Sequence, residues 1–152
     1  MADIISVYGK LLLEAMGQTL IMAFYSLIFA SIIGLIFGML SVLKSKVCNV
    51  IAQVFVDIIR GVPMIVLAFF VFFGVPYALK NFLHSTFTFT ALQAGIICLS
   101  LNCGAYMSEI IRAGIQSVDV GQMEAARSLG IPYWKSMQKV VLPQAIRTMI
   151  PS

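Results

Sequence analysis

Three long apolar stretches constrain the fold of this chain more than any other feature. They extend over about 19–43, 54–79 and 88–111. At about 1.5 Å per helical residue, each is long enough to cross a hydrocarbon core of about 30 Å. Hydrophobic residues make up 61% of the 152 residues and charged residues only 11%, an excess of apolar surface that points to lipid rather than to a soluble core. The pattern predicts an all-α, polytopic helical bundle with three spanning helices and argues against a soluble enzyme.

The first 18 residues predict a separate element before the first span. Apolar residues such as Ile4, Tyr8, Leu11 and Ala15 recur at steps of three and four, as in a short amphipathic helix on a membrane surface. Glu14 interrupts the apolar run, which argues against a cleaved signal peptide.

The basic residues predict the orientation in the membrane. Lys44 and Lys46 lie between the first two stretches, Arg60 lies near the start of the second, and five more basic residues follow the third. These eight group on one side, whereas Lys10 and Lys80 fall on the other. The positive-inside rule therefore places the N-terminus outside and the chain from Arg112 onward in the cytoplasm. Because these charges are interleaved with apolar stretches and form no basic face, no nucleic-acid partner is expected.

Two breaks in the apolar pattern predict local packing. Ala30, Gly34 and Gly38 are spaced four residues apart and form a groove into which another helix can pack closely. The RGVP sequence at 60–63 predicts a kink in the second span near its cytoplasmic end, because proline removes a backbone hydrogen bond.

Polar residues in the third span are candidates for a pathway or an interhelical contact. Asn102, Tyr106 and Glu109 share one helix face, which should turn toward protein or water rather than lipid. Glu109 is either an anchor paired with Arg112 or part of the pathway lining. We expect Asn102 either to form a hydrogen bond with a neighbouring helix or to contact the substrate. Gln93 is expected to form an interhelical hydrogen bond.

Catalytic and metal-binding arrangements are not indicated. The three cysteines occur singly, and the chain has one histidine, so no metal site or cofactor is expected (Cys48, Cys98, Cys103 and His84). An intramembrane enzyme would need a facing nucleophile and base, and Ser100, Ser108 and His84 offer no such pairing.

The segment over about 112–147 is less apolar and predicts two short helices separated by a glycine. Asp119 is placed to cap the first helix together with Gln122, and Gly130 stands where that helix should end. Pro132 is placed to open the second helix, and Pro143 to limit it at its far end.

This pair of helices suits an interface with a soluble partner. Ala125 and Ala126 are small enough for close docking, Glu124 supplies a charge, and Tyr133 and Trp134 supply large amphipathic surfaces. Residue types alone leave this open against an ordinary helix pair at the membrane surface.

The same segment resembles the permease subunits of bacterial binding-protein-dependent ABC importers. Their signature is EAA, three residues, G, nine residues and then I, any residue, L and P. Valine replaces isoleucine here, and the matching residues are Glu124, Ala125, Ala126, Gly130, Val140, Leu142 and Pro143. RGVP at 60–63, FFGVP at 72–76 and the run over 105–130 look like the polar amino acid branch of these permeases.

The resemblance implies a transport subunit in a bacterial plasma membrane. The motif would dock on a separate ATP-hydrolysing subunit, a binding protein would deliver a polar amino acid from outside, and a second, like or identical permease would complete the pathway. The sequence has no GxxxxGK[ST] phosphate-binding loop, consistent with ATP binding by a partner and with no covalent chemistry in this chain. Such permeases usually have five spans, so 19–152 is expected to be an incomplete transmembrane domain; the alternative is a truncated, non-transporting remnant or scaffold.

Overall fold

A computed structural model describes residues 2–43, 45–83 and 87–150. Side chains are described for residues 8–43, 45–82 and 87–150. In these ranges the chain is helical and contains no β-strand, which confirms the predicted all-α class. The helices are α1 (Ala2–Val42), α2 (Lys46–Gly61), α3 (Met64–Phe69), α4 (Val75–Leu83), α5 (Ala91–Gln116), α6 (Val120–Ser128), α7 (Tyr133–Ser136) and α8 (Leu142–Met149). A π-helical turn, Phe70–Gly74, joins α3 to α4, and another, Met137–Val141, joins α7 to α8.

Three helical stretches in the described residues are long and apolar enough to cross a membrane, as predicted: Tyr8–Val42, Met64–Phe82 and Ala91–Gln116. The first belongs to α1, which runs for 41 residues without interruption. The separate surface helix predicted over 1–18 is instead the beginning of α1. No proline separates the two parts, and a single interior glycine such as Gly17 weakens a helix by only about 1 kcal/mol.

The second span differs from the stretch predicted over 54–79. α2 ends at Gly61, and α3 begins at Met64 after an extended residue, Val62, with φ −97° and ψ 129°. A residue before proline disfavours the helical conformation, and Pro63 lacks the N–H that would continue the ladder. The RGVP sequence therefore separates two helices, and the membrane-length helix begins at Met64.

Both π-helical turns lie immediately before a proline-containing helical turn. The N–H of Val75 bonds the carbonyl of Phe70, and the N–H of Leu142 bonds the carbonyl of Met137, each five residues back. A wider turn of this kind lets a helix pass a proline without a clash against the preceding turn. The prediction that Pro143 limits the helix is wrong, because α8 contains Pro143 in its first turn and continues to Met149.

The first and third spans pack side by side in parallel. A Cβ placed on Gly34 would lie 2.6 Å from Met107 Cβ, and one on Gly38 would lie 2.8 Å from Ile111 Cβ. Both partners advance along α5 as the positions advance along α1, so the two helices run in the same direction. Ala30 is fully buried, and the predicted groove of small residues is confirmed.

A buried core joins the chain after α5 to the ends of these spans. It is formed by Ile115 of α5, Met137 and Val141 of the second π-helical turn, and Ala145 of α8. Side chains near the end of α1, including Met39, pack against it. We call this group the junction core; it fixes α7 and α8 against the parallel ends of α1 and α5.

Candidate functional site

Asp119 starts α6 as the sequence predicts. Its Oδ1 accepts a hydrogen bond from the N–H of Gly121 at 2.7 Å, which satisfies one of the free donors of the first turn. The side chain of Gln122 does not accept a hydrogen bond from the backbone N–H of Asp119, so no capping box is formed. Its Oε1 accepts instead from Nε2 of Gln144 at 3.3 Å, which links α6 to α8.

Gly130 ends α6 in the predicted left-handed conformation, with φ of 79°. The N–H of Gly130 bonds the carbonyl of Arg127 at 2.9 Å, and the N–H of Ile131 bonds the carbonyl of Ala126 at 3.3 Å. These two bonds form a Schellman motif, in which a left-handed residue closes the end of a helix. Pro132 follows as the N-cap of α7, one residue before the helix that it was predicted to open. We call residues 129–132 the corner.

The motif residues divide between the surface and the interior. Glu124, Ala125, Gly130 and Pro143 are exposed, whereas Val140 and Leu142 are half-buried. Ala126 is buried and faces inward, so it packs beneath α6 and does not itself present a docking surface.

Apolar side chains that the sequence analysis did not select are the most prominent on this surface. Leu129 at the corner is 80% exposed, Val120 at the start of α6 is 69% exposed, and Trp134, which had been selected, is 55% exposed. Large apolar residues at both ends of an otherwise polar helix could have indicated them from the sequence. We use the name corner face for the exposed surface of this helix–corner–helix unit, which carries Val120, Glu124, Leu129 and Trp134.

A charged cluster joins α2 to α5 at the predicted polar stripe. Oε1 of Glu109 lies 3.6 Å from Nη1 of Arg112, and its Oε2 lies 3.9 Å from Nη1 of Arg60. The guanidinium carbon of Arg60 also lies 4.8 Å from the ring centroid of Tyr106, within the range of a cation–π contact. Sequence reasoning missed Arg60 as a partner, since nothing local indicates which carboxylate it will meet.

The two amides of the third span differ in their contacts. Asn102 is half-buried, and among the described residues its side chain has no hydrogen-bond partner. Gln93 is exposed and forms a capping box with Thr90. The Oε1 of Gln93 accepts from the N–H of Thr90 at 3.0 Å, and the Oγ1 of Thr90 accepts from the N–H of Gln93 at 3.3 Å. The interhelical bond predicted for Gln93 is therefore wrong, because the residue lies at the start of α5.

The remaining titratable residues suggest no chemistry. Cys98 is buried, Cys48 is half-buried and Cys103 is exposed. Within the described ranges, no three cysteine, histidine or acidic residues are grouped so as to hold a metal ion. His84 and Lys44, which the sequence analysis considered, lie outside the described residues.

These features define a polytopic helical membrane protein that carries a rigidly attached helix–corner–helix unit at one end of its spans. The chain belongs to the family of binding-protein-dependent transport system inner membrane components, whose sequence pattern matches residues 30–152. This result confirms the resemblance drawn from the motif at 124–143.

Individual relatives are permeases of amino acid transporters. The chain is 42% identical over 149 residues to a putative glutamine transport system permease protein GlnP of Rickettsia prowazekii (strain Madrid E), covering 95% of this chain and 65% of the relative. It is 37% identical over 139 residues to a probable amino-acid ABC transporter permease protein YckA of Bacillus subtilis (strain 168), covering 91% and 58%. The chain thus spans between 58% and 65% of the length of these two relatives.

A solved structure has the same architecture. The crystal structure of an amino acid ABC transporter with histidines superposes with a TM-score of 0.80 at 34% sequence identity, over 97% of this chain and 65% of the other.

Proposed function

We propose that this chain acts as the permease subunit of an ABC importer for a polar amino acid, and that the corner face docks on a separate ATP-hydrolysing subunit. The observation that carries the proposal is the exposed helix–corner–helix unit built on the junction core. The family and the relatives support the transport role, and the name of the GlnP relative supports a polar amino acid as the substrate class.

The junction core gives docking a mechanical consequence. Met137 and Val141 pack on Ile115 at the end of the third span, and Met39 of the first span packs on the same group. α8 approaches α5 so closely that a Cβ on Gly114 would overlap Met149. Close-packed groups transmit displacement rather than absorb it. Movement of a partner bound at the corner face would therefore shift the ends of both parallel spans.

The chemistry of the corner face indicates the partner surface. Leu129 and Trp134 supply apolar and aromatic anchors of the kind enriched at the centre of interfaces. Glu124 and Arg127 are exposed on the preceding helix and would supply charges to the rim of the interface. A cleft with an apolar floor and a charged edge on the ATPase subunit fits this arrangement.

The polar cluster on α5 has a structural role in this proposal. Glu109 is paired with Arg60 and Arg112, so both carboxylate oxygens already face protein cations. We therefore assign Glu109 as an anchor that holds α2 against α5. Asn102, without a partner in the described part of the chain, is the residue of the stripe best placed to meet the pathway or a second permease.

Charge and packing together support the proposed orientation. With the first and third spans parallel, the ends that carry Val42 and Gln116 lie on the same side, which is the side of the basic residues that follow α5. The positive-inside rule makes this side cytoplasmic and leaves the N-terminus outside, where an amino-acid-binding protein would deliver the substrate. A second permease, like or identical, would complete the pathway.

Cysteine accessibility tests orientation and docking in one experiment. In a background without the three native cysteines, Leu129→Cys should react with a membrane-impermeant maleimide in inside-out vesicles, and the ATPase subunit should protect it. Lys80→Cys, exposed at the opposite end of the spans, should react only from outside and without protection. Labelling of Leu129→Cys from outside would overturn the orientation; unchanged labelling with a saturating ATPase subunit would overturn docking at the corner face.

A further inference from the structure

We propose that Ser136 is a positioning residue that locks the corner, so that α6 and α7 move as one body and not about a hinge at Gly130. This inference rests on the proposed function, because a locked corner has a purpose only if a partner pushes on it. It concerns a residue outside the EAA signature.

The backbone of Ile131 is bonded to both helices. Its N–H donates to the carbonyl of Ala126 in α6 at 3.3 Å, and its carbonyl accepts from the Oγ of Ser136 in α7 at 3.3 Å. The residue that follows the left-handed glycine is therefore bonded on one side to the helix before the corner and on the other to the helix after it.

We call these two hydrogen bonds of Ile131 the clamp. Burial of the Ser136 side chain distinguishes the clamp from an ordinary hydrogen bond at the surface. Ser136 is completely buried, and Ala126 is 5% exposed. The donor of this part-buried bond is therefore shielded from water, and a lower local dielectric strengthens a hydrogen bond. Met137, the next residue, belongs to the junction core, so the clamp continues directly into the packing that holds the spans.

Ser128 offers a matched contrast in the same segment. Its Oγ donates to the carbonyl of Glu124 at 2.9 Å, one turn back in its own helix, and its side chain is exposed. This bond lies within α6 and links nothing across the corner. Replacing Ser128 with alanine therefore removes a serine hydroxyl from the same segment but leaves the bond between Ser136 and Ile131 intact.

A displacement of α6 is therefore transmitted through the corner to the junction core. A flexible glycine joint would let α6 rotate on a moving partner while the spans stayed still. With the backbone of Ile131 bonded to both helices, rotation of α6 about the corner strains or breaks one of these two hydrogen bonds. In this proposal Gly130 determines the conformation of the turn, and Ser136 restricts its flexibility.

The distance between two spin labels tests the lock in the purified permease in lipid nanodiscs. Labels at Val120→Cys and Gln138→Cys, both exposed, report the geometry of α6 relative to the helix after the corner. We expect a narrow distribution in the parent protein, at least a twofold wider one in Ser136→Val, and a narrow one in Ser136→Thr. Valine and threonine add the same volume, so they differ only in the hydroxyl.

Two further variants keep the test decisive. Ser136→Ala removes the hydroxyl without adding volume and should also broaden the distribution, whereas Ser128→Ala should not. Equal widths for Ser136→Ala and the parent, or for the valine and threonine variants, would overturn the lock. The measurement needs no ATPase subunit, so that result would leave the proposed function standing. Failure of the parent protein to bind the ATPase subunit would instead overturn the proposed function.

In the assembled transporter, Ser136→Ala should retain the ATPase subunit but transport at least about threefold fewer substrate molecules per ATP hydrolysed. A purely structural role would lower transport and hydrolysis together. An unchanged ratio in this variant would contradict the lock.

Discussion

Replacing Gly130 with valine is expected to reduce ATP-coupled uptake by about 5- to 30-fold in the assembled transporter while leaving membrane insertion intact. A left-handed backbone costs a residue with a Cβ about 1–2 kcal/mol, which shifts the equilibrium away from the corner conformation by a factor of about 5 to 30. No atom lies within 4 Å of a Cβ built on Gly130, so the effect arises from the backbone conformation and not from a clash. Uptake, co-purification of the ATPase subunit and substrate-stimulated hydrolysis should fall together.

The control for this variant is Gly130→Asn. Asparagine tolerates the left-handed region better than other residues that carry a Cβ, and the open space around Gly130 accommodates its side chain. We expect most of the activity to remain. Full activity of Gly130→Val would show that coupling does not depend on the corner, and equal loss in both variants would show that the absence of a side chain matters rather than the conformation.

Gly34→Leu is expected to destabilise the packing of the first and third spans by about 3 kcal/mol, at the upper end of the usual cost of overpacking. The Cβ alone would lie 2.6 Å from Met107 Cβ, and that atom cannot rotate away because it is attached to the α5 backbone. The two spans would have to separate. The yield of folded protein in detergent and the midpoint of thermal unfolding should both decrease.

Gly17→Leu is the matched control in the same helix. A Cβ on Gly17 meets nothing within 4 Å, so the same change in composition and hydrophobicity should leave both quantities near the parent values. If Gly34→Leu unfolds at the same temperature as Gly17→Leu, the close approach of α1 and α5 is not a determinant of stability.

The spans and the corner could be predicted because each depends on local chemistry. Three apolar stretches of membrane length have no stable alternative to helices in lipid. Gly130 follows a polar helix that begins at Asp119, and a glycine in that place is the common way to end a helix. The small residues Ala30, Gly34 and Gly38 likewise predict close packing before the partner helix is known.

The remaining features depend on contacts between distant parts of the chain or on backbone geometry that hydropathy does not report. Apolar residues lie on both sides of RGVP in the stretch over 54–79, so the sequence predicts a kink there but not the complete separation of two helices at Val62 and Pro63. A proline is compatible with a helix end as well as with a wider turn, so Pro143 alone does not predict the π-helical turn before it. The pairing of Arg60 with Glu109 joins residues far apart in the sequence.

Ser136 illustrates the same limit for the site. A serine between Lys135 and Met137 in a polar segment has the composition of a surface residue. Its complete burial follows from the corner, which turns α7 back against α6 and the junction core. The hydrogen bond to Ile131 is apparent only when the turn is built.

Uptake of a labelled polar amino acid by proteoliposomes tests the central claim most directly. The vesicles would hold the permease with its ATPase subunit, and the binding protein would be supplied on the outside. We predict accumulation against a gradient that requires both internal ATP and the binding protein and that is lost in Gly130→Val. Accumulation that is independent of ATP, or ATP hydrolysis by the intact assembly without accumulation of any polar amino acid, would contradict the assignment of this chain as an importer permease.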